Sequence, residues 1–393
     1  MAGLPRNVWI LTVAQALLLS VSSTVVFVGG LIGTKLAPVE NLATLPVASI
    51  VIGTAVTIPP VTLLMKLIGR RKSFFVIGIF SILIALLTAY AVYTSNFYLF
   101  CLSTFLLGTT YSCVMQFRFA AMESVSEDLL PKAASMVLIG GIAAAFLGPE
   151  VAMFGKDILN VEFAGSFILL SGLFAIAIIF LLGFKNPVIQ KEASTAAQRP
   201  LKEIVRQPIF LVAILSATIG YAVMSFIMTA TPVSMHVMDG HSLSQTKWVI
   251  QSHIISMFLP SLIAAWIINK LGVSRMMISG LFAFLICIAI AFAGRHLGNY
   301  WMSLVLLGIG WNFLFIGATT ILPKSYHASE RFKVQALNDF VIMGVQAVAS
   351  LSAGWFIFAV GWKMLLLLNL PFILFQLIII LRWSRQRVAK ATV

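Results

Sequence analysis

Apolar runs of about 20 residues, the length that crosses a ~30 Å hydrocarbon layer as a helix, follow one another along the whole chain. Twelve can be drawn, at 7–30, 42–65, 73–94, 97–121, 133–155, 163–184, 208–234, 244–268, 275–294, 299–322, 334–360 and 363–383, most of them parted by Pro, Gly or charge. The strands of a membrane barrel alternate apolar and polar residues, and these runs do not. The pattern therefore predicts an all-α membrane protein with twelve transmembrane helices. The first run exceeds the 7–15 apolar residues of a signal peptide, so it is expected to stay as a span.

The pattern also repeats. Leu106-Leu107-Gly108 and Leu306-Leu307-Gly308 lie two hundred positions apart, each inside a run that a short charged loop follows. Gly69-Arg70-Arg71-Lys72 has a partner at nearly the same offset in Asn269-Lys270-Leu271-Gly272-Val273-Ser274-Arg275. Two six-helix pseudo-symmetric halves follow, 1–184 and 208–393, with the polar stretch 185–207 as a cytoplasmic linker carrying a short amphipathic helix at 200–206. Such a repeat predicts a central site near mid-membrane that works by alternating access.

Composition sharpens the class. Hydrophobic residues make up 60% of the chain and charged ones 10%, against roughly 25% charge in a soluble protein. The net charge of +14 could suggest nucleic acid. Twenty-one of the 26 Lys and Arg residues fall on the side shared by both termini, and five (Lys35, Lys156, Lys247, Arg295, Lys363) on the other. That split is the positive-inside pattern, so both termini are expected in the cytoplasm and the chain in the inner (plasma) membrane, with lipid and a small solute as partners and no nucleic acid. Cys101, Cys113 and Cys287 lie inside apolar runs without paired spacing, as small hydrophobes do. Neither a metal nor a cofactor is expected, and the chain is read as a monomer. Trp9, Trp248, Trp301, Trp362 and Trp383 sit near span ends, as interfacial anchors do.

Charges inside spans cost about 2.5–3.5 kcal/mol each on insertion scales and so call for a reason. Glu150 lies well into the fifth span; it is either a protonatable carboxylate for proton coupling, or a partner of Lys156 at the outer rim or of a backbone N–H freed near Pro149. Asp339, near the start of the eleventh span, shares a face with Gln335. It serves either a coupling or substrate site or, the favoured reading, a cytoplasmic gate facing the basic loop Lys66–Lys72, at a helix start where the dipole favours negative charge. Arg118, ending the fourth span ahead of Glu123, joins the same gate with Arg70 and Arg71.

Across its whole length the chain resembles the major facilitator superfamily: twelve spans in two repeats, a central cytoplasmic loop, and a basic loop after the second span of each half. The superfamily's loop carries a Gly, then an Asp, a basic residue, a Gly and a basic pair. Here Gly69, Arg70, Arg71 and Lys72 are kept, while Thr62 stands for the first Gly and Lys66 for the Asp. The second copy has Asn269 in the Asp position, with Lys270, Gly272 and Arg275 retained. Both carboxylates of that loop's charge relay are therefore missing. Gly148-Pro149 is similar in part to the glycine-proline motif of proton antiporters. Gly310–Phe315 and Gln335–Phe340 resemble a bacterial subgroup whose substrates are mostly unassigned, riboflavin-carrier-like members included.

The resemblance implies that spans 1, 4, 7 and 10 line the cavity, with 2, 5, 8 and 11 beside them. On those spans the polar and aromatic candidates at mid-depth are Gln15, Tyr111, Gln116, Tyr221, Gln251, His253, Trp311, Asn312 and Gln346. An amide exposed to lipid is disfavoured, so each is expected to face the bundle interior, either toward cargo or in plain interhelical hydrogen bonds. The set is uncharged and aromatic, suited to a sugar, a flat heteroaromatic vitamin such as riboflavin, or a drug-like amphiphile. The expectation is a secondary active transporter, a symporter or antiporter. Its rivals are a membrane enzyme, for which no HExxH or Ser/His/Asp grouping exists, and a receptor or scaffold on a transporter fold. No GxxxxGK loop suggests ATP-driven pumping.

Overall fold

The computed structural model describes residues 3–39, 42, 45–186 and 199–391 of the chain. Residues 187–198, most of the expected linker, lie outside that set. Among the described residues eleven helices are long and apolar enough to span a membrane, and twelve if the bent pair Trp248–Phe258 and Ser261–Leu271 is one span. The helices group into two compact units. One comprises Met1–Gln190 and Gln335–Met343, the other Lys191–Val334 and Gly344–Val393.

The first unit holds α1 (Arg6–Leu36), α2 (Leu45–Ile68), α3 (Arg70–Tyr93), α4 (Phe97–Met115), α5 (Phe117–Met122), α6 (Leu130–Gly155) and α7 (Ala164–Leu182). With lipid as apolar as leucine, helices associate through small residues and interhelical hydrogen bonds. Here α1 is stitched to α6 by three hydroxyls: Thr12 donates to the Met136 carbonyl (3.2 Å), Ser23 to Ala144 (2.7 Å) and Thr24 to Gly148 (3.1 Å). Helix α4 lies against α2 so closely that a Cβ on Gly108 would stand 2.3 Å from the Thr54 nitrogen.

The second unit holds α8 (Leu201–Val205), α9 (Pro208–Pro232), α10 (Leu243–Phe258), α11 (Ser261–Leu271), α12 (Val273–Ala293), α13 (Leu297–Ile321), α14 (Arg331–Leu367) and α15 (Leu370–Ala391). Helix α14 contributes its segment Gln335–Met343 to the first unit and is broken at Gly361 (φ 76°). Helices α10 and α11 bend by 42° at Leu259-Pro260, where the proline has no N–H to continue the ladder. The eighth span is thus two helices, a break the hydrophobic pattern alone does not disclose.

The repeats noted in the sequence now have physical causes. Gly308 of α13 makes the approach that Gly108 makes in α4: a Cβ there would meet the Ser256 hydroxyl at 2.1 Å and the Met257 nitrogen at 2.9 Å of α10. Each Leu-Leu-Gly therefore marks where one helix presses on the span two before it. Gly69 and Gly272 open α3 and α12 with nearly the same backbone, φ 80° and ψ 161° against φ 86° and ψ 154°. Positive φ of this kind is cheap for glycine alone.

Candidate functional site

Four polar side chains of the first unit converge where α4 gives way to α5. Gln116 interrupts the helix there, its N–H bonding back to Cys113 (3.0 Å). From the next turn Arg118 reaches Asp339 of α14, with 3% and 0% side-chain exposure. Asp339 also accepts from the Gln116 amide (2.8 Å) and from Asn338 (2.9 Å). A buried carboxylate with this many donors, one of them a guanidinium, is the arrangement in which an ion pair survives desolvation.

A second cluster lies one turn back along α14. Arg70 holds Glu123 in a two-bond fork, Nε to Oε2 at 2.8 Å and Nη2 to Oε1 at 2.6 Å. The same Nη2 donates to Gln335 (2.8 Å), whose amide donates to Glu123 (3.3 Å). So Asp339 meets Arg118 and Gln116 of the fourth span directly and lies within the electrostatic reach of Arg70 of the basic loop. Gln335, four residues or about 6 Å earlier along the helix, accepts a hydrogen bond from Arg70 itself. Arg71 is not brought in. It is exposed, and its guanidinium donates to the Leu182 carbonyl (2.8 Å) while its N–H donates to Asn186 (3.0 Å).

Glu150 stands on an exposed stripe of α6 shared with Phe146 (53% exposed) and Phe154 (75%). Its expected rim partner is engaged elsewhere: Lys156 pairs with Glu162 (3.4 Å), which also pairs with Lys35. The hydrogen bond from Lys35, then that from Lys156, holds the Glu162 carboxyl below its ordinary range. Among the described residues Glu150 forms no salt bridge with Lys156, and it stands in an apolar stripe.

In the second unit, Trp311 lies stacked on Phe315 (centroids 5.0 Å, planes 19° apart) and edge-on to Tyr221 (5.1 Å) and Phe258 (5.9 Å). With 1% exposure its ring is part of the core and offers no open face for a ligand in this structure. Asn312 serves the broken eighth span, donating to the Met257 carbonyl (2.7 Å) and the Ser261 hydroxyl (2.8 Å) on either side of the bend. His253 is buried and donates through Nδ1 to the Leu304 carbonyl (2.8 Å). These three, expected to line a cavity, hold helices together here. Gln15 is buried too, its Cβ position close against Gly140. Tyr111, Gln251 and Gln346 are only half-buried.

Two polar groupings escaped the sequence reading. Beyond a π-helical segment at Val233–Met238, Asp239 accepts from Tyr300 (2.7 Å) and Arg295 (3.0 Å), and Ser234 lies 2.5 Å from the same Tyr300 hydroxyl. At the other end, Arg199 grips Glu330. The first needs partners some sixty residues apart, and the second more than a hundred. No local spacing signals either.

A model of the Major Facilitator Superfamily matches residues 8–239 and 219–392. The riboflavin transporter RfnT of Brucella anthropi is 36% identical over 378 residues, 95% of this chain and 94% of that protein. The uncharacterized MFS-type transporter YddS of Bacillus subtilis is 30% identical, over 80% of this chain and 76% of that one. Among solved structures, the transporter FucP in its outward conformation aligns with a TM-score of 0.72 at 16% identity, covering 96% of this chain and 97% of that one. The human organic anion transporter MFSD10 aligns with a TM-score of 0.74 at 13% identity, covering 95% and 99%. At such identities these structures speak for the fold alone.

Proposed function

The chain belongs to the major facilitator superfamily and is a transporter, not an enzyme, and from that premise we propose that it carries riboflavin, or a similarly flat and neutral solute, across the bacterial inner membrane by alternating access. The observation that carries the cargo reading is the 36% identity to a riboflavin transporter over nearly the whole length. The uncharged candidates on the fourth, eighth and eleventh spans support it. Tyr111, Gln251 and Gln346 keep part of their surface open and offer a ring and two amides, the groups that stack on and hydrogen-bond a polar heteroaromatic. A multiply charged cargo would need buried counter-charges that these positions lack.

Two further roles belong to the same reading. Arg118, Asp339 and Gln116, with Arg70, Glu123 and Gln335, form a cytoplasmic lock that holds in one state of the cycle and parts in another. Glu150, with no lysine paired to it among the described residues, is the proton-coupling carboxylate, a charge inside a span that calls for a functional reason. The Lys and Arg distribution supports both termini, and the linker, in the cytoplasm. The halves that carry the cycle are 1–184 and 208–393, acting as a monomer.

Purified protein in sealed vesicles tests this directly, through the intrinsic fluorescence of riboflavin. An inward proton gradient is expected to drive its accumulation, and the Glu150→Gln protein to lose the gradient's effect while still exchanging riboflavin. No uptake by the wild-type chain under either condition refutes the cargo. Gradient-driven accumulation that survives Glu150→Gln removes Glu150 from the coupling.

A further inference from the structure

Arg199, the first described residue of the linker after position 186, is held by several hydrogen bonds. Arg199 donates to Glu330 three times, from its backbone N–H (2.8 Å), from Nε (3.0 Å) and from Nη2 (2.6 Å). Glu330 is fully buried and also accepts from the His327 N–H (2.9 Å), closing the single turn Ala328–Glu330 that precedes α14. Lys333 of α14 donates to the Arg199 carbonyl (2.5 Å), and Gln207 donates to Ser325 (2.9 Å). The anchoring continues into α8, where Ile204 is fully buried. Buried side chains with charge-assisted bonds to a nine-residue piece of linker are far more than a flexible tether needs.

The position of this clasp gives it a task. Glu330 precedes Gln335 by five residues and Asp339 by nine, or about 7 and 14 Å of helix. The clasp residues belong to the second unit, whereas Gln335 and Asp339 pack as part of the first. Glu330 stands directly before α14, and Gln335 and Asp339 lie in the first turns of that same helix. We infer that the Arg199–Glu330 clasp is a positioning device for transport, by which the linker fixes the start of α14 so that Gln335 and Asp339 meet and leave Arg70 and Arg118 in register. Neither clasp residue touches cargo. The linker is then a working part of the carrier. A cut or slack linker would slow the cycle without weakening cargo binding.

This inference rests on the transporter reading above, and its test separates the two. Glu330→Gln and Arg199→Ala are compared with Arg199→Lys, which keeps the charge. Hydrogen exchange over residues 331–343 reads the clasp without any cargo, and so does trypsin cleavage after Lys202 and Arg206 (Pro200 shields the bond after Arg199). Exchange and cleavage are expected to accelerate in the first two variants and to stay closer to wild type in Arg199→Lys. Riboflavin turnover in vesicles is expected to fall about tenfold or more in the first two, the worth of a charge-assisted hydrogen bond, with riboflavin Kd unchanged. Unaltered exchange across 331–343 overturns the clasp. Turnover that holds, or a Kd that weakens in step with it, overturns the positioning role. If the wild-type protein binds no riboflavin, the cargo proposal fails and the exchange and cleavage results decide the clasp alone.

Discussion

Changing Asp339 to Asn probes the most deeply buried charge pair of the first unit. The carboxylate receives donors on both oxygens, Arg118 and Asn338 on one and Gln116 on the other. An asparagine offers one acceptor oxygen, so at least one donor then faces an NH2 group, and the Arg118 guanidinium loses its counter-charge at 3% exposure. Breaking a buried pair from one side costs about 3–5 kcal/mol, which shifts an equilibrium by roughly 10²–10³-fold. At this depth little solvent screening remains to reduce that cost. Cys113, three residues before Gln116 on the same helix face and 2% exposed, is a built-in reporter. In a Cys101→Ser/Cys287→Ser background its alkylation by a polar maleimide should accelerate by about two powers of ten on Asp339→Asn, because labelling follows the open fraction. The double change Arg118→Met/Asp339→Leu should melt closer to wild type than either single change, since no charge is then left stranded. Unchanged Cys113 labelling together with additive losses in the double variant would refute the lock.

Gly108→Ala should abolish accumulation of folded protein, because its Cβ would stand 2.3 Å from the Thr54 nitrogen, whereas Gly172→Ala, with nothing within 4 Å, should express normally; size-exclusion profiles in detergent compare them. Asn312→Leu should lower the melting temperature by the worth of two buried hydrogen bonds, about 1–3 kcal/mol, and free the bend at Pro260, read as faster amide exchange across residues 255–265. The Lys35–Glu162–Lys156 group contributes stability above the unfolded carboxylate pKa, because the folded value is depressed, and loses it as pH falls through that lowered value. A melting-temperature difference between wild type and Glu162→Gln at pH 7 should therefore vanish in acid.

The hydrophobic pattern was enough for the class, the span count and the doubled architecture, because a membrane solvent imposes length and apolarity on each segment independently. It even recorded two kinds of close backbone geometry, since Gly108 with Gly308 and Gly69 with Gly272 are positions where a side chain does not fit or the backbone turns against one. Arg118 and Asp339 were recognisable as costly buried charges, yet their mutual bond was not, with 221 residues between them. The sequence set Asp339 against the basic loop; the fold adds Gln335 as the residue of α14 that accepts a hydrogen bond from Arg70. Trp311 and Asn312 illustrate the opposite limit: polarity and aromaticity marked them as cavity candidates. Only the packing of α9, α10 and α13 assigned one to an aromatic core and the other to a broken helix. A residue's own chemistry states what it requires, a partner or a burial site, and the chain folded in three dimensions decides which neighbour supplies it.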